Sequence, residues 1–120
     1  MRKVNLEQAF AGFSEAWSPR IAGDVNDFQL KLVKLRGAFH WHHHETEDEL
    51  FLVVRGRLRM RFRDREVDLG PGELIVVPHG VEHLPEALDD ECHVVLFERA
   101  TTLNTGTTET ERTVRDLARI

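Results

Sequence analysis

From about residue 27 to 99 the chain carries no sustained helical period. Short apolar stretches follow one another, each closed by a turn signal, and this reads as strands separated by turns. The punctuation is Arg36-Gly37, Arg55-Gly56, Asp64-Arg65, Gly70-Pro71-Gly72, His79-Gly80 and Asp89-Asp90. Phe28 to Leu35 alternates and is rich in Leu and Val. Upstream, Leu6, Ala9, Phe10, Phe13 and Trp17 recur at helical spacing, with Asn5 and Gln8 placed as a capping pair. One short helix is predicted over about 5–17, closed by Ser18-Pro19. A helical pattern returns only near Thr113 to Arg119. The expected organisation is a helical lead-in over 1–26, an all-β barrel over 27–100 and a C-terminal extension over 101–120. Thr101 to Thr108 reads as a loop or extended tail leaving the barrel.

Two hairpins can be registered from side-chain chemistry alone. With Asp64-Arg65 as a two-residue loop, Phe62 faces Val67 and Met60 faces Leu69, while Arg63 faces Glu66 and Arg61 faces Asp68 on the other side. With Arg55-Gly56 treated likewise, Val53 faces Leu58, Phe51 faces Met60 and Glu49 faces Phe62. Glu49 then points inward with Phe51, Val53, Leu58, Met60 and Phe62. A carboxylate there is costly unless it is neutralised, hydrogen-bonded or bound to a cation. The opposite face combines Leu50, Leu52 and Val54 with Arg57, Arg59 and Arg61, too apolar to be fully wet. It predicts cover by the N-terminal helix or by a second subunit, and edge strands of a small barrel point the same way, towards a homodimer.

A chain of 120 residues is one domain, large enough for a core without staples. Its formal net charge of −5 argues against nucleic acid as a partner. Cys92 is the only cysteine, so no disulfide forms within the chain and a zinc site would have at most one sulfur ligand. Met1-Arg2-Lys3-Val4 leads into an amphipathic segment, and no apolar run has membrane-spanning length. The expectation is a soluble, cytoplasmic protein with neither nucleic acid nor membrane among its partners.

Against this background stands His42-His43-His44. On extended backbone His42 and His44 share one face, with His40, while Phe39, Trp41 and His43 take the other. Two imidazoles, the inward Glu49 and a distant third imidazole, His83, form a candidate metal set. Its mixed nitrogen and oxygen donors suit one divalent transition metal (Zn, Mn, Fe, Ni, Co or Cu) and suit Ca or Mg poorly. The other histidines, His40, His43, His79 and His93, read first as ordinary surface or core residues.

The segments His42-x-His44-x4-Glu49-x6-Gly56 and Gly72-x5-Pro78-x-Gly80-x2-His83 resemble the two signature motifs of the cupin superfamily. The resemblance implies a double-stranded β-helix, the jelly-roll barrel of cupins, here with a short N-terminal helix. It further implies that His42, His44, Glu49 and His83 ligate a divalent metal inside the barrel. The chain departs from the family pattern at Gly37, one residue closer to His42 than usual, and at Ala87, where an asparagine is common. Neither position is a usual ligand. The inward residues Phe51, Met60 and Phe62, with His40 beside them, are expected to line a pocket for a small molecule.

Three functions compete on this reading. Open coordination in an enclosed apolar site favours a metalloenzyme of dioxygenase or isomerase/lyase type. The chain has no tyrosine to serve as an acid, which leaves His40, Glu73 or Glu82 for that role. The absence of a separate catalytic constellation favours instead a non-catalytic module that binds a small ligand or is stabilised by its metal. The Leu50/Leu52/Val54 face suggests, more weakly, an interaction protein.

Overall fold

The computed structural model describes residues 1–120. One helix, α1 (Leu6–Ala11), precedes eight strands: β1 (Arg20–Val25), β2 (Phe28–Leu35), β3 (Glu49–Arg55), β4 (Leu58–Phe62), β5 (Glu66–Leu69), β6 (Leu74–Val77), β7 (His83–Ala87) and β8 (Cys92–Arg99). They form a five-stranded sheet in the order β1-β2-β8-β3-β6 and a three-stranded sheet in the order β5-β4-β7, all paired antiparallel. Inward side chains of both sheets, among them Val33, Phe51, Val53, Leu58, Met60, Leu69, Val77, Val94 and Leu96, meet in one apolar core. No helix is long and apolar enough to cross a membrane.

The helix begins as its sequence dictates and ends early. Asn5 accepts a hydrogen bond from the Gln8 N–H at 3.0 Å, satisfying one of the free donors of the first turn. Gly12 already terminates it, its N–H donating to Ala9 O. Phe13 and Trp17, expected on the last helical turns, lie in irregular chain, and Trp17 sits at φ 60° with its indole N–H donating to Arg36 O. Packing against the barrel outweighs helical periodicity here.

The registers need two corrections. Arg55-Gly56 does not close a hairpin ladder, because β3 and β4 belong to different sheets and the chain crosses between them. Gly56 makes that crossing at φ +80°, and a Cβ there would lie 2.5 Å from Glu91 O, so no larger residue fits. Inward Glu49 nevertheless survives, since alternation along β3 alone sets its face; its neighbours are Val77 and Glu98. In the β4–β5 hairpin the loop is Arg63-Asp64, pairing Leu58 with Leu69, Met60 with Val67, Arg59 with Asp68 and Arg61 with Glu66. A slip of pairing by two residues leaves every side chain on its own face, so apolar-with-apolar patterning does not distinguish the two registers.

The composite leucine and arginine face also dissolves. Arg57, Arg59 and Arg61 lie apart from β3 and pair with Asp89, Asp68 and Glu66. Leu52 and Val54 instead pack beside Phe10, Leu32 and Val95 under α1. What stays open is the edge of the larger sheet, where Leu74 and Val76 on β6 are 56% and 51% exposed.

Residues 101–120 return to the barrel and do not leave it. Thr107 N–H donates to His43 O, Thr105 is fully buried, and Ile21 exchanges backbone hydrogen bonds with Ala118 and Ile120. No helix forms over Thr113 to Arg119, where the backbone makes these tertiary bonds instead.

Glu91 clamps the end of β2 to β8. It accepts hydrogen bonds from Arg36 at 2.7 Å and His93 at 2.6 Å, with Lys34 at 3.6 Å. The His93 hydrogen bond, then those of Arg36 and the nearby Lys34 charge, hold its carboxyl down at about 2 against the opposing effect of burial. A lowered folded-state pKa stabilises the protein above the unfolded value near 4.5, and that stability drains away as pH falls towards 2. Glu91→Gln is expected to cost about 1–2 kcal/mol at pH 7. In urea unfolding the gap between parent and variant closes by pH 2; a gap independent of pH contradicts the ionic clamp.

Candidate metal centre

The segment carrying the histidine triplet connects β2 to β3 and is tied down by its backbone. His42 and His83 exchange two hydrogen bonds, His42 N–H to His83 O at 3.1 Å and the reverse at 2.9 Å, and Gly80 N–H donates to His44 O at 2.7 Å. The extended backbone so fixed buries His42 and His44 and leaves Trp41 and His43 half-buried on the other side. Glu49 enters from the start of β3 and His83 from the start of β7.

One donor atom from each of His42, His44, Glu49 and His83 lies within 4.8 Å of the others, and all four residues are 1–3% exposed. Glu49 Oε1 is 3.1 Å from His44 Nε2 and 3.4 Å from His83 Nε2. The His42 Nδ1–H donates to His40 O at 3.0 Å and the His83 Nδ1–H to Val81 O at 2.8 Å. Each of these bonds fixes a tautomer and turns the lone pair of Nε2 towards the cluster, the arrangement seen behind metal-bound imidazoles. His44 Nε2, Glu49 Oε1 and His83 Nε2 are buried without a well-formed hydrogen bond. Three orphaned polar atoms converging at one point in a dry interior fit a cation.

The electrostatics agree with that fit. Burial, followed by the proximity of His83, lowers the His42 pKa to about 3, so its ring is neutral and ready to coordinate at pH 7. His44 is raised: burial opposes its charge, and the Glu49 hydrogen bond and charge more than offset this. Burial would raise Glu49, yet the adjacent Glu98, His44 and His83 side chains hold it well below the usual carboxylate range. Glu98 is raised well above that range by burial and then by the Glu49 charge. Glu98 Oε2 is buried without a hydrogen-bond partner. Lys31 Nζ completes the chain at 2.9 Å from Glu98 Oε1.

His42 and Glu49 form part of the lining of a cavity of about 40 Å³, otherwise enclosed by Val33, Leu35, Phe51, Pro85 and Leu96 and bordered by Trp17, Phe39 and Asn104. Of the residues expected to line a pocket, Phe51 is there. His40 stands beside it, its ring 4.1 Å from that of Phe39 and 5.5 Å from that of His42, with Nε2 buried and unpartnered. Met60 and Phe62 do not line it, although Pro85, the cross-strand neighbour of Met60, does. Met60 is sealed in the core, and Phe62 borders an outer groove with Ile75, Pro78 and Val81. Trp17, Phe39 and Asn104 reach the rim by tertiary packing from distant segments. Lys31 and Glu98, by contrast, left a signal: each shares the inward parity of an otherwise apolar strand, Lys31 with Val33 and Leu35, Glu98 with Val94 and Leu96.

Comparison with known proteins places this geometry in a family. The sequence profile of the cupin domain matches residues 31–98. A cupin-2 domain containing protein from Shewanella frigidimarina is 44% identical with a TM-score of 0.78, covering 80% of this chain and 93% of that one. Protein NMB1881 from Neisseria meningitidis is 35% identical with a TM-score of 0.74, over 82% of this chain and 100% of that one. KdgF from Halomonas sp. is 27% identical with a TM-score of 0.63, over 70% and 78% respectively. No curated protein matches. The chain belongs to the cupin superfamily, as a small cupin whose barrel encloses a His-His-Glu-His cluster able to take a metal ion.

Proposed function

We propose that this cupin is a metal-dependent enzyme acting on a small molecule, of dioxygenase or isomerase/lyase type. The observation that carries the reading is the placement of the cluster against an apolar cavity, with His42 and Glu49 facing it. His42, His44, Glu49 and His83 would hold one divalent transition metal, which when bound supplies a Lewis acid with coordination positions left for a ligand. The protein's own contribution is to fix donor geometry and to exclude water: Val33, Leu35, Phe51 and Leu96 present no polar group to the cavity. Oxygen uptake or turnover by metal-reconstituted protein, against thiols, diketones, phenols and sugar phosphates, tests the reading. Activity that depends on added metal supports it; none with any of them, in protein shown to hold metal, refutes it.

The small volume, about 40 Å³, favours a second reading, a module that its metal stabilises without catalysis. Metal-induced thermal stabilisation without turnover is its signature. Under either reading a second copy of the chain covers the β6 edge, where exposed Leu74 and Val76 continue the half-buried Leu50 and Leu52 of β3. Sedimentation at micromolar concentration is expected to show a dimer that Leu74→Lys/Val76→Lys dissociates; a monomeric parent refutes the pairing.

A further inference from the structure

The rim of the cavity beside the cluster carries a cation that the ligand set does not use. Trp17 and Phe39 stack at 4.6 Å where they border the cavity, and the Arg112 guanidinium lies 5.6 Å from the centre of the first ring and 5.4 Å from that of the second. Two contacts fix it there. Arg112 Nη1 donates to Ala38 O at 3.2 Å, and Asn104, itself on the rim, donates to Arg112 O at 2.7 Å. Arg36, Arg59, Arg61 and Arg63 each face a carboxylate. Arg112 pairs with none, and its single contact to Ala38 O leaves most of its five donors free. Beside it on the rim, His40 stands against Phe39 with Nε2 buried and unpartnered. The chain as a whole carries a net charge of −5, so a free cation at this mouth is a local feature and not part of a basic surface.

We propose that the small molecule taken by this site is a short-chain carboxylate, its acid group held at the rim by Arg112 while its apolar body enters the cavity towards His42 and Glu49. The inference rests on the reading of the cavity as a small-molecule site and names the substrate class. Three features select that chemistry. A guanidinium presents paired N–H donors that match the two oxygens of a carboxylate. Between rim and cluster the lining is Val33, Leu35, Phe51 and Leu96, which offers a charged group no partner and suits a hydrocarbon chain. The volume of about 40 Å³ admits only a few heavy atoms, so the charged end of a longer molecule stays at the mouth, where Arg112 is.

The test is calorimetric titration of protein incubated with Zn²⁺ or Co²⁺, using butyrate, valerate, caproate and levulinate, each against its methyl ester, and inorganic phosphate. Metal content is measured on the same samples. The parent is expected to bind at least one acid about tenfold or more tightly than its ester. Arg112→Gln is expected to lose about 5–20-fold in affinity for that acid, with ester binding and metal content unchanged. Arg112→Lys keeps the charge without the fork and is expected to fall between the two. If Arg112→Gln does not fold, the parent carries the prediction: the arginine Nε–H resonance missing from Arg112→Lys shifts when the acid is added and stays in place with the ester. No acid preferred over its ester overturns the proposal, and so does a preference that Arg112→Gln leaves intact, because the metal or another group then holds the acid. Tighter binding of phosphate than of every acid overturns the carboxylate class. A parent that holds no metal overturns the metal centre instead, and the acid and ester titrations on that protein still decide the role of Arg112.

Discussion

His42→Ala is expected to abolish stoichiometric metal binding, lowering affinity at least about 100-fold. A structural zinc site contributes about 10–16 kcal/mol, and one donor in four carries roughly a quarter of that, about 3 kcal/mol or two decades in affinity. His42 is suited to this comparison because its ring is fixed by the Nδ1 bond to His40 O while its backbone, which the substitution retains, makes the bridge to His83. His43→Ala is the control: its side chain lies on the other face, and affinity is expected to stay within about twofold. Because the metal binds only the folded state, chelation is expected to lower the parent's melting temperature by about 10–20 °C, from roughly 4 kcal/mol at a thousandfold excess over Kd. In His42→Ala that difference shrinks to a few degrees. Calorimetry, elemental analysis and thermal unfolding check all three; full metal content in His42→Ala would exclude this residue as a ligand.

Gly106→Ala is expected to detach the C-terminal segment from the barrel. Gly106 has φ +61°, and a Cβ built on it lies 2.0 Å from His43 O and 3.4 Å from His42 Cδ2. The left-handed backbone costs a substituted residue about 1–2 kcal/mol, and the clash with a fixed carbonyl adds about 1–3 kcal/mol more. Neither the His43 carbonyl, on the segment bridged to β7, nor the Thr107 N–H that bonds it can yield without loosening the other. Hydrogen exchange is expected to accelerate at least about tenfold over residues 103–120 while β3 and β8 stay protected. Gly72→Ala separates the two contributions, since Gly72 has φ +83° with nothing within 4 Å of the added carbon. Equal effects from the two substitutions would show that backbone strain, and not the contact with His43, is what Gly106 serves.

The ligand set was legible because alternation is local. His42, His44 and Glu49 take their faces from period-two geometry along their own segments, which no later packing reverses. The β4–β5 pairing was legible in face but not in register, because a two-residue slip leaves every side chain on its own face. The β3–β4 hairpin was misread because a glycine turn looks alike whether it closes a ladder or carries the chain to the opposite sheet. That choice is made by the close approach of Glu91 to Gly56, far away in sequence. The same error assigned Met60 and Phe62 to the cavity, since a false ladder placed them beside Phe51.

By itself, the sequence determined an all-β chain and the shared inward faces of His42, His44 and Glu49, because strand alternation is a property of neighbouring residues; the resemblance of two short motifs to those of cupins added the barrel and His83. Only the tertiary structure decided what surrounds those four: Glu98 and Lys31 behind Glu49, Trp17 and Phe39 at the rim, and the strap at Gly106 against His43. These contacts join residues dozens of positions apart, and their energy depends on distances that no local pattern encodes.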